Sequence, residues 1–304
     1  MATGRRIIKN NIEEFLSSIK CSYKLNEPLS KHSTLCIGGN ADYFIEVETE
    51  EQLISLLQFI NKNKIKFFVL GGGSNILFTD EGFNGTVIKL SGDFCKYEIF
   101  ETNVFCGAAT SLTFLAKQTA ENGLSGLEHF AGIPGTVGGA VFGNAGVKEC
   151  SISSVIDKIE VVDYSGKKRI LTKDNIKFEY RKSDLAGNII TKVFFILKNA
   201  DKNDILKAIS SELERRRNSQ PIGTKNAGCV FKNPKDNSAG YLIDSLNLKN
   251  YCIGEIQISD VHANFFINKN NGCAKDMISL IDFVKNEVYK KYNIKLETEI
   301  KIIK

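Results

Sequence analysis

The sequence predicts an α+β fold, and three features of the chain indicate it. Short apolar runs typical of strands recur along the chain, and segments with the apolar spacing of helices lie between them. Hydrophobic residues make up 42% of the 304 residues and charged residues 25%, which is usual for a globular protein. At roughly 150 residues per domain, the length is enough for about two domains.

The composition excludes several classes of protein. No apolar run approaches the ~18 residues of a membrane-spanning helix, and no apolar stretch follows the N-terminal arginines as in a secretory signal. We therefore expect a cytoplasmic protein with no membrane partner. The net charge of +5 is spread along the chain, whereas nucleic-acid-binding proteins usually concentrate their charge, so we expect no nucleic-acid partner.

The cysteines and histidines predict no metal site. None of the eight cysteines forms a C-x-x-C pair, which argues against zinc ribbons and thioredoxin-type motifs, and we expect reduced thiols. The three histidines, His32, His129 and His262, lack the spacing of metal ligands. We interpret His262 as a structural residue.

The first elements form a strand–helix–strand unit. Residues 43–47 are typical of a strand, and Thr49 with Gln52 forms a capping box that starts a helix to about residue 63. An apolar strand over residues 65–70 follows, and the unit predicts a parallel, right-handed crossover. The strand ends in the sequence GGGSN at residues 71–75.

The middle of the chain predicts further strands and two helices. Strands are expected at residues 86–90, 103–106 and 192–197, with a hairpin formed by residues 158–163 and 168–172. Ser111 caps a helix that Gly123 ends. A second helix, from about residue 205, ends in three arginines at residues 215–217, which are either a cationic last turn or a phosphate contact.

The last third begins after Gln220 and Pro221, the clearest candidate for a domain boundary. A helix is expected around residues 277–288. In residues 294–302 apolar and charged residues alternate, which predicts a final strand with Glu299 on the face away from the isoleucines.

Two glycine-rich segments are candidate ligand sites. The GGGSN segment can form an anion-binding nest or simply a tight turn, and it matches neither the Walker loop nor the dinucleotide fingerprint. Residues 132–146 contain six glycines, which suggests a backbone lying against a flat ligand, although a packed glycine-rich loop is the alternative. Together the segments suit a cofactor with a pyrophosphate and a planar ring.

Seven motifs in this order carry a resemblance to a known family: LGGGSNIL, HFAGIPGTVGGAVFGNAG, FEYRKS, RRRNSQP, NAGCVFKNP, HANFFIN and LETEI. From about Leu25 to the C-terminus the chain resembles the UDP-N-acetylenolpyruvoylglucosamine reductases, the MurB type. The resemblance implies non-covalent FAD in a fold of the vanillyl-alcohol-oxidase (PCMH) type, with a C-terminal substrate-binding domain. It implies FAD contacts for eight residues: Gly71, Gly72, Gly73, Ser74, Asn75, Gly135, Thr136 and Gly139.

The resemblance also implies the reaction. NADPH reduces the flavin, which passes hydride to the enolpyruvyl group of the substrate and yields UDP-N-acetylmuramate for peptidoglycan, and so serves cell-wall synthesis, cell shape and division. Arg181 holds the substrate carboxylate, Glu299 lies beside it, and Cys229 replaces the proton-donating serine of most members. Asn233 contacts the substrate. The arginine usual after the LETEI position is Lys301 here, which removes a bidentate contact.

Each of these residues also has an ordinary structural interpretation. Taken alone, Arg181 could form a surface ion pair, and Glu299 could lie on a strand face in contact with solvent. Cys229 alone could be a small buried side chain. Asn233 alone could cap or turn the chain before Pro234.

The resemblance divides the chain into three parts. Residues 1–86 and 87–217 form two FAD-binding lobes, and residues 218–304 form the substrate-binding domain. Because no long insertion follows Arg181, the chain resembles the shorter subgroup, which lacks a tyrosine-bearing loop. We expect a monomer that acts on a UDP-sugar.

Two other functions remain open on the sequence alone. Another FAD-dependent oxidase or dehydrogenase of the same fold, acting on an alcohol or sugar, should lack an acid at position 229 and a glutamate at position 299. A nucleotide- or RNA-binding protein without enzymatic activity would not need NAGCVFKNP and would purify colourless.

Overall fold

The computed structural model describes residues 11–147 and 150–304, and their contacts group them into two compact units. The first unit contains residues 11–27, 42–71 and 85–205 of this described part. The second contains residues 28–41, 72–84 and 206–304. The chain therefore passes between the units several times. The three-part division expected from the resemblance stays a prediction.

The two units contain helices and strands of mixed length. The helices are α1 (residues 11–18), α2 (Glu50–Asn63), α3 (Leu112–Glu121), α4 (Val137–Phe142), α5 (Lys202–Ser219), α6 (Ala239–Asp244) and α7 (Ala274–Tyr292). The strands up to the middle of the chain are β1 (Ser22–Pro28), β2 (Asn40–Val47), β3 (Phe67–Leu70), β4 (Ile76–Phe78), β5 (Phe83–Leu90), β6 (Tyr97–Phe100), β7 (Asn103–Gly107), β8 (Leu124–Ser125), β9 (Gly146–Val147) and β10 (Cys150–Ser151). The later strands are β11 (Ile156–Asp163), β12 (Lys168–Thr172), β13 (Phe178–Glu179), β14 (Lys182–Ser183), β15 (Asn188–Ile196), β16 (Lys198–Asn199), β17 (Asn226–Cys229), β18 (Cys252–Ile253), β19 (Ile256–Ile258), β20 (Phe265–Asn268) and β21 (Lys301–Ile303).

The first sheet of the first unit has the strand order β1-β2-β5-β3. The predicted capping box of α2 is confirmed: Thr49 Oγ1 accepts from the Gln52 backbone N–H at 3.3 Å, and Gln52 Oε1 accepts from the Thr49 N–H at 3.2 Å. The helix buries the apolar face that its spacing predicts. Strand β3 pairs in parallel with β5, which lies between β3 and β2.

The second sheet of the first unit has five strands in the order β12-β11-β15-β7-β6, with antiparallel pairing throughout. The predicted hairpin is confirmed as β11 and β12, with Val161 opposite Arg169. Ser111 caps α3, as predicted, by accepting from the Phe114 N–H. The long neighbouring strands β11 and β15 bury apolar residues of this sheet.

The second unit is built on a four-stranded sheet of order β17-β20-β19-β18, with α6 and α7 packed in the same hydrophobic core. A parallel pair, β4 and β21, belongs to the same unit and places Ile302 opposite Leu77. The core includes Leu77, Phe231, Phe266, Met277 and Ile300, each nearly inaccessible to solvent. The segment after GGGSN is therefore anchored to the C-terminal end of the chain.

The predicted final strand over residues 294–302 is wrong in its length, because only Lys301–Ile303 forms a strand. The segment changes its partner along its course: Thr298 bridges to Phe231, and Lys301 begins the ladder with β4. No single ladder therefore spans it. The burial pattern is as predicted, with Leu296 and Ile300 buried and Glu299 partly exposed.

Two of the three arginines at the end of α5, Arg216 and Arg217, lie in its last turn, as the structural interpretation predicts. Arg215 and Arg216 both pair with Glu212 within the same helix, each at 2.7 Å. The hydrogen bond from Arg215 is the largest cause that lowers the pKa of Glu212. Ion pairs of this kind join residues three and four positions apart on a helix.

Candidate active site

Gly71 and the second glycine-rich segment meet in the first unit. A Cβ atom at position 71 would lie 2.9 Å from Thr136 Oγ1 and 3.9 Å from Gly139 Cα, closer to the hydroxyl than side chains normally approach. The Lys89 ammonium donates a hydrogen bond to the Gly71 carbonyl oxygen, and burial lowers the pKa of Lys89. The structure thus brings together three predicted FAD contacts, and Lys89 is a neighbour that the sequence analysis missed.

The second glycine-rich segment is partly helical, and the predicted contact of its backbone with a flat ligand stays a prediction. Residues Val137–Phe142 form α4, and Thr136 caps it by accepting from the Gly139 N–H at 3.2 Å. Gly138 is a packing residue, because a Cβ there would lie 2.7 Å from Ala108 Cβ. Gly139 is exposed and Gly135 half-buried, so these two remain accessible to a ligand.

The rest of the GGGSN segment belongs to the second unit and is held tightly there. Gly73 has a φ of +67°, and a Cβ at this position would lie 2.0 Å from the His32 carbonyl oxygen. The Thr34 N–H donates to the Gly73 oxygen at 3.1 Å, and Thr34 Oγ1 donates to the Asn226 oxygen at 2.6 Å. Thr34, which the sequence analysis missed, therefore connects this segment to β17.

Asn75, Cys229 and Glu299 converge in the second unit. Asn75 Nδ2 donates to the Glu299 carbonyl oxygen at 3.3 Å, and the Glu299 N–H donates to the Val230 oxygen at 2.8 Å. Val230 directly follows Cys229, so the predicted acid and the predicted glutamate lie on neighbouring backbone segments. Both side chains are partly accessible, as a substrate site requires.

Cys229 stands next to an irregularity in its sheet. Asn226 pairs with Ile267 and Cys229 with Phe265, so β17 contains one more residue than its partner at this point. Gly228 has a φ of +74°, and its N–H bonds to Asn226 Oδ1 at 2.9 Å. Bulges of this kind often lie beside active sites and change the direction of a side chain.

Asn233 Oδ1 accepts from the Ala239 N–H at 3.0 Å at the start of α6, whose N-cap residue is Ser238. The predicted contact of Asn233 with the substrate stays a prediction. Nearby, Lys232 pairs with Glu297 at 2.5 Å. Desolvation, and then repulsion from Lys232, lower the pKa of Lys301.

Arg181 lies in the first unit, at the turn between β13 and β14. It is half-buried, its φ is +57°, and its guanidinium carbon lies 5.2 Å from the centre of the Tyr180 ring. Strand β15 begins at Asn188, so no inserted loop follows this turn. Arg181 therefore shares a unit with the Gly71 and Thr136 group, whereas Cys229, Asn233 and Glu299 belong to the other unit.

His262 has the structural role that the sequence predicts. Its Nδ1 accepts from the Asn264 N–H at 3.2 Å, and its ring packs edge-on against Phe265. Burial lowers its pKa below the ordinary value of 6.5. An acceptor nitrogen with a lowered pKa keeps the imidazole neutral.

The structure adds two further findings on ligands and membranes. Over residues 11–147 and 150–304, no group of three or more His, Cys, Asp and Glu side chains could hold a metal ion. Within the same described ranges, every helix is too short or too polar to cross a membrane.

The chain matches known proteins over most of its length. Residues 220–303 match the family described as UDP-N-acetylenolpyruvoylglucosamine reductase, C-terminal domain, and residues 41–172 match the FAD binding domain family. The UDP-N-acetylenolpyruvoylglucosamine reductase of Bacillus subtilis is 38% identical over 281 residues, which cover 91% of this chain and 93% of the relative. Reductase 2 of Symbiobacterium thermophilum is 37% identical over 278 residues, covering 91% of this chain and 90% of the relative.

A solved structure supports the same assignment. The crystal structure of the MurB reductase from Thermus caldophilus is 36% identical, has a TM-score of 0.81 and covers 93% of this chain and 99% of that chain. Together with the FAD binding domain match, it confirms the predicted α+β fold with an FAD-binding part. The chain belongs to the UDP-N-acetylenolpyruvoylglucosamine reductase family.

Proposed function

We propose that the protein reduces UDP-N-acetylglucosamine enolpyruvate to UDP-N-acetylmuramate, with NADPH as reductant and non-covalent FAD as cofactor. The observation that carries the proposal is the convergence of Asn75, Cys229 and Glu299 in a chain of this family. The product is a precursor of peptidoglycan, so the enzyme serves cell-wall synthesis and thereby cell shape and division. We place it in the cytoplasm as a monomer, with neither nucleic acid nor membrane as a partner.

Residues of the two glycine-rich segments fit an FAD molecule. A Cβ atom at position 71 would lie only 2.9 Å from Thr136 Oγ1, so glycine at this position leaves the hydroxyl uncrowded, and Gly135 and Gly139 are accessible. Gly71, Gly72, Gly73, Ser74 and Asn75 would hold the pyrophosphate, and Gly135, Thr136 and Gly139 the rest of the cofactor. When bound, FAD supplies the chemistry of hydride transfer. In this proposal residues 1–86 and 87–217 form the FAD-binding lobes, and residues 218–304 bind the substrate.

Two side chains of this protein act on the reacting part of the substrate. Reduction of the enolpyruvyl double bond leaves negative charge on the carbon beside the carboxylate. The Arg181 guanidinium binds that carboxylate, and a preorganised donor of this kind is typically worth about 3–4 kcal/mol. Cys229 Sγ donates the proton that completes the saturated carbon, which typically contributes roughly 10²–10⁴ in rate. A thiol suits this role because it is a stronger acid than serine's hydroxyl.

Glu299 and Asn233 position the reacting groups. The Glu299 N–H donates to the Val230 carbonyl oxygen, which fixes its backbone beside the residue after Cys229, and we propose that its carboxylate helps to position the proton donor. Asn233 Oδ1 is engaged with the start of α6, and we propose that its amide N–H groups contact the substrate. Glu299 therefore belongs to substrate reduction and has no part in flavin reduction by NADPH.

The test has four readouts on the purified protein. A visible spectrum should show flavin bands, and acid precipitation should leave a colourless pellet and a yellow supernatant. NADPH consumption should depend on the enolpyruvyl substrate, and the product should be two hydrogens heavier by mass spectrometry. A colourless protein, or flavin that is reduced by NADPH but never reoxidised by this substrate without oxygen, would contradict the proposal. The comparisons do not favour the alternative, an oxidase of alcohols or sugars.

A further inference from the structure

We infer that Asn144 and Ser183 are positioning residues that hold the Arg181 turn against the end of α4 and so aim the guanidinium. The inference rests on the proposed role of Arg181 in binding the substrate carboxylate. All the residues involved belong to the first unit.

The turn that carries Arg181 cannot hold its shape by its own pairing. The strands β13 and β14 have two residues each, and Glu179 pairs with Lys182, so Tyr180 and Arg181 form a two-residue turn. Arg181 has a φ of +57°, in the left-handed region that residues with a Cβ rarely adopt. A short hairpin with such a residue needs support from neighbouring elements.

Two buried side chains supply this support from opposite sides. Asn144 Nδ2 donates to the Glu179 carbonyl oxygen at 2.9 Å, and Ser183 Oγ donates to the Phe142 carbonyl oxygen at 2.7 Å. Asn144 is 7% exposed and Ser183 is 8% exposed, so water does not compete for these hydrogen bonds. We call these two hydrogen bonds the clamps. The Asn144 bond reaches from just after α4 to the first strand of the hairpin, and the Ser183 bond reaches from its second strand to the last residue of α4.

The clamps join Arg181 to the segment assigned to the cofactor. Phe142 is the last residue of α4, and the Asn144 N–H donates to the Val141 oxygen at 3.1 Å, so Asn144 is itself fixed to this helix. The helix is the one that Thr136 caps. An arginine anchored in this way keeps a constant position relative to Thr136 and Gly139. Because a misplacement of 1 Å can cost about 100-fold in rate, such anchoring matters for the substrate step.

The test uses Asn144→Gly and Ser183→Ala. Asn144 has a φ of +43°, which glycine adopts readily, so the first variant removes the amide without straining the backbone. Ser183→Thr keeps the hydroxyl and serves as the conservative rescue. Thr119→Val is the matched control, because Thr119 Oγ1 also makes a buried hydrogen bond to a backbone oxygen, that of Ala116 within α3.

Stopped-flow absorbance separates flavin reduction by NADPH from flavin reoxidation by the enolpyruvyl substrate. Asn144→Gly and Ser183→Ala should slow reoxidation about tenfold and weaken substrate binding, with flavin reduction within about twofold of wild type. Ser183→Thr and Thr119→Val should resemble wild type in both steps. In an Arg181→Ala background, neither clamp variant should slow reoxidation by more than about twofold further.

Four outcomes would overturn the inference. Equal losses in both half-reactions would show a general structural role, and so would losses that persist in the Arg181→Ala background. If Arg181→Ala slows reoxidation while both clamp variants reoxidise normally, the inference fails and the proposed function stands. If Arg181→Ala itself reoxidises at the wild-type rate, the proposed role of Arg181 fails, and the inference fails with it.

Discussion

At the scale of single residues, the second unit holds its two candidate reactive side chains by backbone contacts. The Glu299 N–H bonds to Val230, the neighbour of Cys229, and the Glu299 carbonyl accepts from Asn75. Both bonds use the backbone of Glu299, so the carboxylate is not required for either of them. A substitution of the carboxylate alone should therefore leave the local backbone in place.

Glu299→Gln tests this assignment. Flavin reduction by NADPH should be nearly intact, whereas reoxidation by the enolpyruvyl substrate should be slower by roughly 10²-fold, as for loss of a positioned group in acid–base catalysis. Stopped-flow absorbance at the flavin band measures both steps. A similar loss in the two half-reactions would mean that Glu299 is a structural residue.

His262 predicts a dependence of stability on pH. Burial is the largest cause that lowers its pKa; Lys249 lowers it further, and Asp244 acts in the opposite direction. Below about pH 6.5 the unfolded chain therefore binds this proton more readily than the folded protein. The free energy of unfolding should fall as the pH drops from 7.5 to 5.5, and His262→Gln should show a smaller fall. Urea titrations at each pH measure this, and parallel curves for the two proteins would rule out the contribution.

At the scale of elements, the start of α7 depends on a residue far away in the sequence. Asp80 Oδ1 accepts from the Ala274 N–H at 2.7 Å, and Oδ2 accepts from the Lys275 N–H at 2.9 Å. The local cap, Cys273, offers only a sulfur acceptor to the Asp276 N–H at 3.4 Å. Asp80 therefore satisfies N–H groups at the helix start and places negative charge at the positive end of the helix dipole.

Asp80→Ala should destabilise the protein by about 1–2 kcal/mol, as loss of a good helix cap typically does. Asp80→Asn should cost less, because its amide oxygen still accepts one hydrogen bond. Chemical denaturation gives both values. Equal stability of wild type and Asp80→Ala would show that the cap contributes nothing to folding.

Elements whose signals are local could be predicted from the sequence, and elements that depend on distant partners could not. The capping box of Thr49 and Gln52 and the hairpin around Gly166 depend on residues a few positions apart, and both are confirmed. The strand predicted at residues 294–302 is shorter, because its pairing switches from Phe231 to β4. No sequence pattern indicates that switch.

In the candidate site, too, local features could be predicted from the sequence, and contacts between distant segments could not. Glycine-rich motifs indicated the neighbourhood of Gly71 and Thr136, but their glycines obscured α4, since glycine is a poor helix former. A signal for that helix was present in Thr136, whose hydroxyl caps Gly139. The contacts of Thr34 with β17 and of Asn144 with the Arg181 turn join distant segments, so only the fold reveals them.

At the scale of the whole molecule, the two units contribute different chemistry. The first contains Gly71, Thr136 and Gly139 with Arg181, and the second contains Cys229 and Glu299. In the proposed reaction Gly71, Thr136 and Gly139 contact the cofactor, Arg181 binds the carboxylate, and Cys229 supplies the proton. The proposed proton donor is Cys229, a thiol at the position where the resemblance implies a serine in most members.

The measurement that tests the account most directly is reoxidation of the NADPH-reduced enzyme by the enolpyruvyl substrate, without oxygen, in Cys229→Ser and Cys229→Ala. Serine should retain reoxidation, because its hydroxyl can donate the proton. Alanine should slow reoxidation by roughly 10²–10⁴ while flavin reduction and substrate binding persist. A small thiol alkylator should inactivate wild type unless substrate protects it, and Cys229→Ser should resist. Near wild-type reoxidation by Cys229→Ala would contradict the account and make ordered water the leading proton source.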